Sequence, residues 1–271
     1  MTIQPLNSIL SGYKPLTFRA TVFPMKLSII IPAYNEQTTI EAVIRRVQSV
    51  DLGAITKEIV VVDDASRDDT SHILKGINGI VFLRHSVNAG KGAALTTGIR
   101  AATGDIVIFQ DADLEYMPED YLTVITPLLN GTCNAVMGSR FLREHPVFWG
   151  KRKSPYLNHY IGNLLILWVT NTLYGKSFTD YEGCYKAFFR STLLDTPVRA
   201  KGFEFDNELI CKLIRKGVRI EEVPIRYSPR TYGQGKKITW RHGITILWTI
   251  IKWRALSIET KTLNQPHKAA A

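Results

Sequence analysis

Three carboxylates, Asp111, Asp113 and Glu115, sit at alternate positions directly after the apolar run 106–109. In extended backbone, residues two apart point the same way, so this spacing predicts three acids converging on one point. Acids so placed repel unless a cation lies between them, and Mg²⁺ or Mn²⁺ prefers oxygen ligands. Their position adds weight, because open α/β sheets bind ligands just beyond the carboxyl ends of their strands. A lone D-x-D is more often an acidic, solvated turn. The stretch therefore needs support from the rest of the chain.

The elements that would position these acids read clearly from Lys26 onward. Residues 27–31 form an apolar run ended by Pro32, and a helix follows with Ile40, Val43, Ile44 and Val47 on one face. A second strand, 59–62, closes on Asp63 and Asp64. Asp68 or Asp69 then stands as N-cap of a helix through Ile73 and Leu74. Strand 80–83, helix 90–102, the unbroken run 106–109, helix 118–129 and strand 135–137 complete the alternation. Strands separated by helices of this length imply right-handed crossovers and a mostly parallel sheet. Four loops, 32–36, 63–66, 111–115 and 138–140, then open on the same edge. Each has a plain explanation alone, as a strand stop, a capped turn or a surface charge; together they predict a binding cleft.

Composition narrows the partners. The 271 residues suit one large α/β domain, and 45% apolar content supports a full core. Cys133, Cys184 and Cys211 show no metal-ligand spacing and are too few for a disulfide framework, which points to a reducing compartment. Residues 1–140 carry 12 Lys and Arg against 14 Asp and Glu, whereas residues 141–271 carry 22 against 10. Such a basic half needs an anionic partner: nucleic acid, a phosphorylated ligand or a membrane surface. No basic–aromatic RNA motif or helix-turn-helix pattern supports nucleic acid. A dinucleotide-dependent dehydrogenase would need G-x-G-x-x-G after the first strand, where this chain has Pro-Ala-Tyr-Asn-Glu.

The motifs IPAYNE (31–36), VVDDAS (61–66), NAGKGAAL (88–95), QDADLE (110–115) and GSRF (138–141) together resemble family-2 glycosyltransferases of the GT-A fold. TDYEGCYKAF (179–188), GFEFDNELICK (202–212) and RTYGQGKKI (230–238) narrow the resemblance to the dolichol-phosphate mannosyltransferase and polyprenyl-phosphate glucosyltransferase branch. The resemblance runs in order from about Lys26 to Arg254. It implies an α/β, GT-A (Rossmann-like), mostly parallel sheet flanked by helices. It implies that Pro32, Tyr34 and Glu36 line the nucleotide pocket, that Asp64 contacts the nucleoside, and that Asp111 and Asp113 hold Mg²⁺ or Mn²⁺. The third ligand position, often Gln in the family, is Glu115 here. Arg140, with Ser139 beside it, corresponds to the site of the acceptor phosphate. Arg230 and Lys236 correspond to a basic loop over the donor phosphates, with Gly233 and Gly235 suiting a mobile lid.

The implied reaction is inverting transfer of a hexose, from GDP-mannose or UDP-glucose, to a dolichyl or undecaprenyl phosphate. No nucleophile–base motif for a covalent intermediate is recognisable, in keeping with a single displacement. The alternative is a family-2 enzyme with a saccharide acceptor.

The basic half adds a membrane expectation. Residues 155–175 are uncharged, with Leu157, Tyr160, Ile161, Leu164, Leu165 and Trp168 as a helical stripe, preceded by Lys151, Arg152 and Lys153. A second helix near 240–258 places Trp240, Ile244, Leu247, Ile251, Ala255 and Ile258 on one side, with Arg241, Thr245, Thr249 and Lys252 on the other. Neither approaches the roughly 20 apolar residues of a transmembrane helix. Both suit the plane of an anionic membrane, unless the stripes simply pack on the core. The expected organisation is a flexible tail 1–25, a glycosyltransferase domain 26–238 including the interfacial helix, an amphipathic helix 239–258 and a tail 259–271. The expected location is cytoplasmic, peripheral on the cytoplasmic face of a membrane, with room for an anchoring partner or a homo-oligomer.

Overall fold

The computed structural model describes residues 25–142, 157–229 and 240–258. Alternation of apolar side chains builds its two cores. In β1 (Lys26–Ala33), Leu27, Ile29 and Ile31 enter one core, while Ile30 enters the other. In β4 (Ile106–Phe109), Ile106 and Ile108 divide from Val107 and Phe109 in the same way. This is the period of two that a central strand covered on both faces requires.

The first core is closed by α1 (Ile40–Ser49), which buries Ile40, Val43, Ile44 and Val47 as their spacing predicts, and by α4 (Tyr121–Leu129). The second is closed by α3 (Lys91–Ala101) and α7 (Phe205–Arg215). The remaining elements are β2 (Thr56–Asp63), α2 (Thr70–Lys75), β3 (Val81–Arg84), β5 (Ala135–Ser139), α5 (Leu157–Tyr174), β6 (Lys186–Phe189), α6 (Arg190–Leu194), β7 (Ile220–Pro224) and α8 (Trp240–Ala255). The seven strands lie in the order β3-β2-β1-β4-β6-β5-β7, all parallel except β6, which runs antiparallel to β4 and β5. The GT-A, mostly parallel α/β architecture read from sequence is therefore the observed one. Strands β1, β2, β4 and β5 point the same way, so the four loops do share one edge.

Several local expectations change. Pro32 does not end β1, which continues to Ala33. The Ile30 carbonyl accepts from Gln110 N–H at 2.9 Å, so Ile30 and Pro32 face the β4 side. Since β4 stops at Phe109, the missing N–H of Pro32 leaves no ladder bond unmade. Asp69 precedes α2 without a side-chain cap; instead Asp68 Oδ1 accepts from Thr70 N–H at 3.0 Å.

The strands β6 and β7 were not expected. β6 starts on a fully buried Lys186, whose ammonium donates to the Gly183 carbonyl and lies 3.5 Å from Asp206 Oδ1. β7 carries two glutamates. Neither has the apolar run that marks a central strand.

Helices α5 and α8 pack on α7 around a third cluster of Ile166, Cys211, Ile246, Ile250 and Trp253. On α8 the buried side thus includes Thr249, 6% exposed, which the sequence pattern put on the polar side. The outward face retains Ile161, Leu164, Leu165 and Trp168 from α5 and Ile244, Trp248 and Ile251 from α8, all exposed. The α5 stripe read from sequence is thus solvent-facing at every position whose side chain is described. Among the described residues no helix is long and apolar enough to cross a membrane.

Candidate active site

The four loops meet around a cleft of about 440 Å³. The first two are stitched together by backbone held in an uncommon conformation. Asn35 and Ala65 both have positive φ, 51° and 59°, a cost that persists only where surroundings over-determine it. Here Asn35 N–H donates to Ser66 Oγ at 2.9 Å, and Asn35 Oδ1 accepts from Arg67 N–H at 2.8 Å. Glu36 N–H donates to Thr70 Oγ1 at 2.8 Å, and Thr39 Oγ1 lies 2.8 Å from Glu36 Oε2 and 2.9 Å from the Ala112 carbonyl. Pro32, Tyr34 and Glu36 line the cleft.

Asp64 also lines it, but its carboxylate has a second task. Oδ1 pairs with His85 Nδ1 at 2.7 Å and accepts from Ala89 N–H at 2.9 Å, while Oδ2 accepts from Gly90 N–H at 2.7 Å. It therefore shapes the loop that enters α3. Gly90 is required there: its φ is 99° and an added Cβ would lie 2.3 Å from the Lys201 carbonyl.

The acidic loop starts from Gln110, whose Oε1 accepts from Tyr121 at 2.6 Å and Tyr185 at 2.8 Å, both in the core. Beyond it the chain bends through residues 112–115 rather than staying extended. The converging three-armed cage expected from alternation is therefore not formed: among the described residues no group of three or more His, Cys, Asp or Glu side chains is placed to hold a metal ion. Asp111, Asp113 and Glu115 nevertheless all line the cleft.

Asp111 Oδ1 accepts from the Lys91 ammonium at 2.6 Å. Burial pushes the Asp111 carboxyl up, and the Lys91 charge outweighs this and holds it below its usual range. Glu115 N–H donates to Asp113 Oδ1 at 3.1 Å, and Glu115 Oε2 accepts from Tyr227 at 3.0 Å. Two carboxylates facing a cleft still fit a divalent ion, since Mg²⁺ is usually held by one or two carboxylates plus substrate phosphates, not by an all-protein cage.

Arg140 lines the cleft between the rings of Tyr227 and Phe141, 5.1 and 5.4 Å from their centroids. Its Nε and Nη2 donate to the two oxygens of Asp180 at 2.7 and 2.8 Å, and its backbone N–H adds a third bond at 3.1 Å. Burial raises the Asp180 carboxyl, but the guanidinium wins and keeps it ionised well into the acid range. Nη1 has no partner among the described residues, so one end of the fork remains for an anion.

Ser139 is placed differently from its neighbour Arg140. Its side chain is fully buried and its Oγ pairs with Thr179 Oγ1 at 2.6 Å. As the last residue of β5 it is not among the side chains that line the cleft, whereas Arg140 is.

Arg230, Lys236, Gly233, Gly235, Lys151, Arg152 and Lys153 lie outside the described residues, as does the side chain of Trp240. Residues not singled out from sequence complete the cleft. Lys91, Glu182 and Phe203 stand in quoted motifs without an assigned role, whereas Tyr116, Tyr227 and His242 gave no signal. Glu182 accepts from Asn207 Nδ2 at 2.8 Å, and burial pushes its carboxyl up. The Phe203 and His242 rings meet edge-on at 4.8 Å, which brings the start of α8 to the cleft.

Known proteins can be set beside this geometry. In sequence, the chain is 30% identical over 244 residues to UDP-N-acetylglucosamine–dolichyl-phosphate N-acetylglucosaminyltransferase of Methanococcus voltae, covering 82% of this chain and 94% of that one. It is 29% identical over 218 residues to undecaprenyl-phosphate 4-deoxy-4-formamido-L-arabinose transferase of Salmonella choleraesuis, covering 78% and 62%. In structure, it matches glucosyl-3-phosphoglycerate synthase of Mycobacterium tuberculosis, solved with Mn²⁺, UDP and phosphoglyceric acid, at a TM-score of 0.65 and 20% identity over 86% and 80% of the two chains; this likeness speaks for the fold. Residues 28–193, which carry every loop of the cleft up to the Asp180 that holds Arg140, match glycosyl transferase family 2, and the chain belongs to that family.

Proposed function

We propose that the protein transfers a sugar from a nucleotide-diphosphate sugar to a polyprenyl phosphate at a membrane surface, with inversion at the anomeric carbon. The observation that carries this is the meeting, in one cleft, of the nucleotide loops, the acidic loop and Arg140, beside two helices with an exposed apolar face. The named relatives act on polyprenyl phosphates. One of them uses a UDP-linked N-acetylhexosamine, so UDP-linked hexoses and N-acetylhexosamines are the first donors to try, with GDP-mannose next.

Pro32, Tyr34 and Glu36 hold the nucleoside end, and Asp64 keeps the 85–90 loop in place around it. Asp111 and Asp113 would hold Mg²⁺ or Mn²⁺, which supplies positive charge against the diphosphate leaving group. Lys91 adds to that charge, as would Arg230 and Lys236, which the family resemblance assigns to the donor phosphates. Arg140 presents Nη1 to the acceptor phosphate. A phosphate monoester has a second pKa of about 6, so near neutrality it already carries a nucleophilic oxyanion. That oxygen attacks C1 of the sugar as the bond from C1 to the nucleotide diphosphate breaks. No side chain has to remove a proton, unlike transfer to a sugar hydroxyl.

The test is incubation with polyprenyl phosphate in vesicles and a panel of labelled nucleotide sugars, followed by organic extraction. Label should enter the lipid fraction only with divalent ion present. Label passing to a soluble saccharide and never to lipid would refute the reading.

A further inference from the structure

Beside the cleft lies a second cavity of about 200 Å³ that the reaction above leaves unused. Its walls are mainly apolar: Phe141, Leu164, Leu167 and Phe178 among them. Two polar residues, Asn163 and Glu182, line both this cavity and the cleft, so the two spaces adjoin. We infer that this cavity receives the first isoprene units of the acceptor, the segment nearest its phosphate. The inference rests on the polyprenyl-phosphate reading and adds where the lipid enters.

Three observations support it. The first is size: an apolar cavity of about 150 Å³ accepts a benzene ring, so this one has room for a five-carbon isoprene unit and part of the next.

The second is placement. Asp180, which holds the Arg140 guanidinium, forms part of the cavity wall. A phosphate on Arg140 Nη1 therefore has an apolar space immediately alongside. The third is the exit. Leu164 lines the cavity and is 41% exposed, so the cavity reaches the surface there. It belongs to the same outward face of α5 as Ile161, Leu165 and Trp168. A chain leaving the cavity at Leu164 emerges on the surface best suited to meet lipid.

The experiment uses water-soluble acceptors, so membrane docking plays no part. The Michaelis constants for dimethylallyl phosphate, with five carbons, and geranyl phosphate, with ten, are compared in the full-length protein. Wild type should favour geranyl phosphate by about tenfold or more, the gain expected from burying only two further apolar carbons. Leu167→Trp fills the cavity and Leu164→Trp narrows its mouth. Each should bring the ratio of the two constants close to unity, while titration calorimetry with UDP and GDP in the presence of Mn²⁺ shows unchanged nucleotide affinity. Leu164 is exposed enough to keep the variant folded if Leu167→Trp is not tolerated, and unfolding midpoints establish this.

Equal constants in wild type, or a ratio that survives in a folded variant, would overturn the cavity as the isoprenoid subsite while leaving the transfer reaction standing. Transfer to neither phosphate would overturn the acceptor assignment itself and this subsite with it.

Discussion

At the amino edge of the sheet, Glu58 accepts from Ser28 Oγ at 2.5 Å, Thr103 N–H at 2.8 Å, Thr103 Oγ1 at 2.7 Å and Lys26 Nζ at 2.9 Å. At the carboxyl edge, Asp111, Asp113 and Glu115 each turn part of their surface to a cleft, and Arg140 keeps one end of its fork unpaired. The same residue types thus serve two purposes in one sheet. A carboxylate whose lone pairs are filled by the protein ties strands and loops together. One that lines the cleft is instead placed where a ligand can reach it.

The comparison is broken most sharply at Asp113. Asp113→Asn keeps the volume and removes the charge. It should lower transfer by about a thousandfold, the scale of a lost charge-stabilising group, and leave the unfolding midpoint nearly unchanged. Retained transfer in that variant, or in excess EDTA, would remove the metal role.

Asp180 tests a residue that belongs to both categories. Asp180→Ala strands the Arg140 guanidinium in a site where that side chain is 12% exposed. Removing one partner of a buried pair costs about 3 kcal/mol or more, so denaturant midpoint and transfer should fall together. A drop in transfer alone would mean that Arg140 is held well enough by its neighbours Phe141 and Tyr227.

Glu58 should show the reverse pattern. Burial pushes its carboxyl up, but the hydrogen bonds from Ser28, Thr103 and Lys26 outweigh it and hold it down to about 2 from an ordinary 4.5. The folded state therefore prefers the ionised form. Its stabilisation is complete above about pH 4.5 and is lost as pH falls toward 2. Glu58→Gln should cost about 1–2 kcal/mol at neutral pH, flatten the dependence of stability on pH in that acid window, and leave transfer at moderate temperature intact. Unfolding followed by circular dichroism between pH 2 and 6 checks it.

The smallest effect on stability should come from the exposed tryptophans. Trp168 and Trp248 are 66% and 64% exposed. Replacing both by Ser should move stability by no more than about 0.5 kcal/mol per site while weakening flotation with anionic vesicles. Charge reversal at Lys151, Arg152 and Lys153 should do the same at moderate salt. Vesicle binding that ignores both changes would mean that the α5–α8 face meets something other than lipid.

Sequence by itself determined the first five strands, their intervening helices and the shared edge on which the loops open. Each of those features is local: an apolar run for a strand, a 3.6-residue stripe for a helix, a polar turn at the end. It also singled out Pro32, Tyr34, Glu36, Asp111, Asp113 and Glu115, all of which line the cleft, because motif and position agreed.

Only the tertiary structure decided how those groups are used. β6 inserts antiparallel between β4 and β5 although it follows α5 in the chain, and no local pattern encodes strand order. Lys91 reaches Asp111 from 20 positions away and Asp180 reaches Arg140 from 40; such ion pairs depend on loops brought together by the sheet, not on spacing. Ser139 and Arg140 are neighbours in one motif, yet packing buries Ser139 against Thr179 while Arg140 lines the cleft, a difference that no sequence pattern encodes. On α8, packing likewise decided which side chains are buried: Ile244 and Ile251 of the apolar stripe stay exposed, whereas Thr249 from the polar side is taken inward. A helix with apolar residues nearly all round has two candidate inner faces, and contact with α5 and α7 selected Ile246, Ile250 and Trp253.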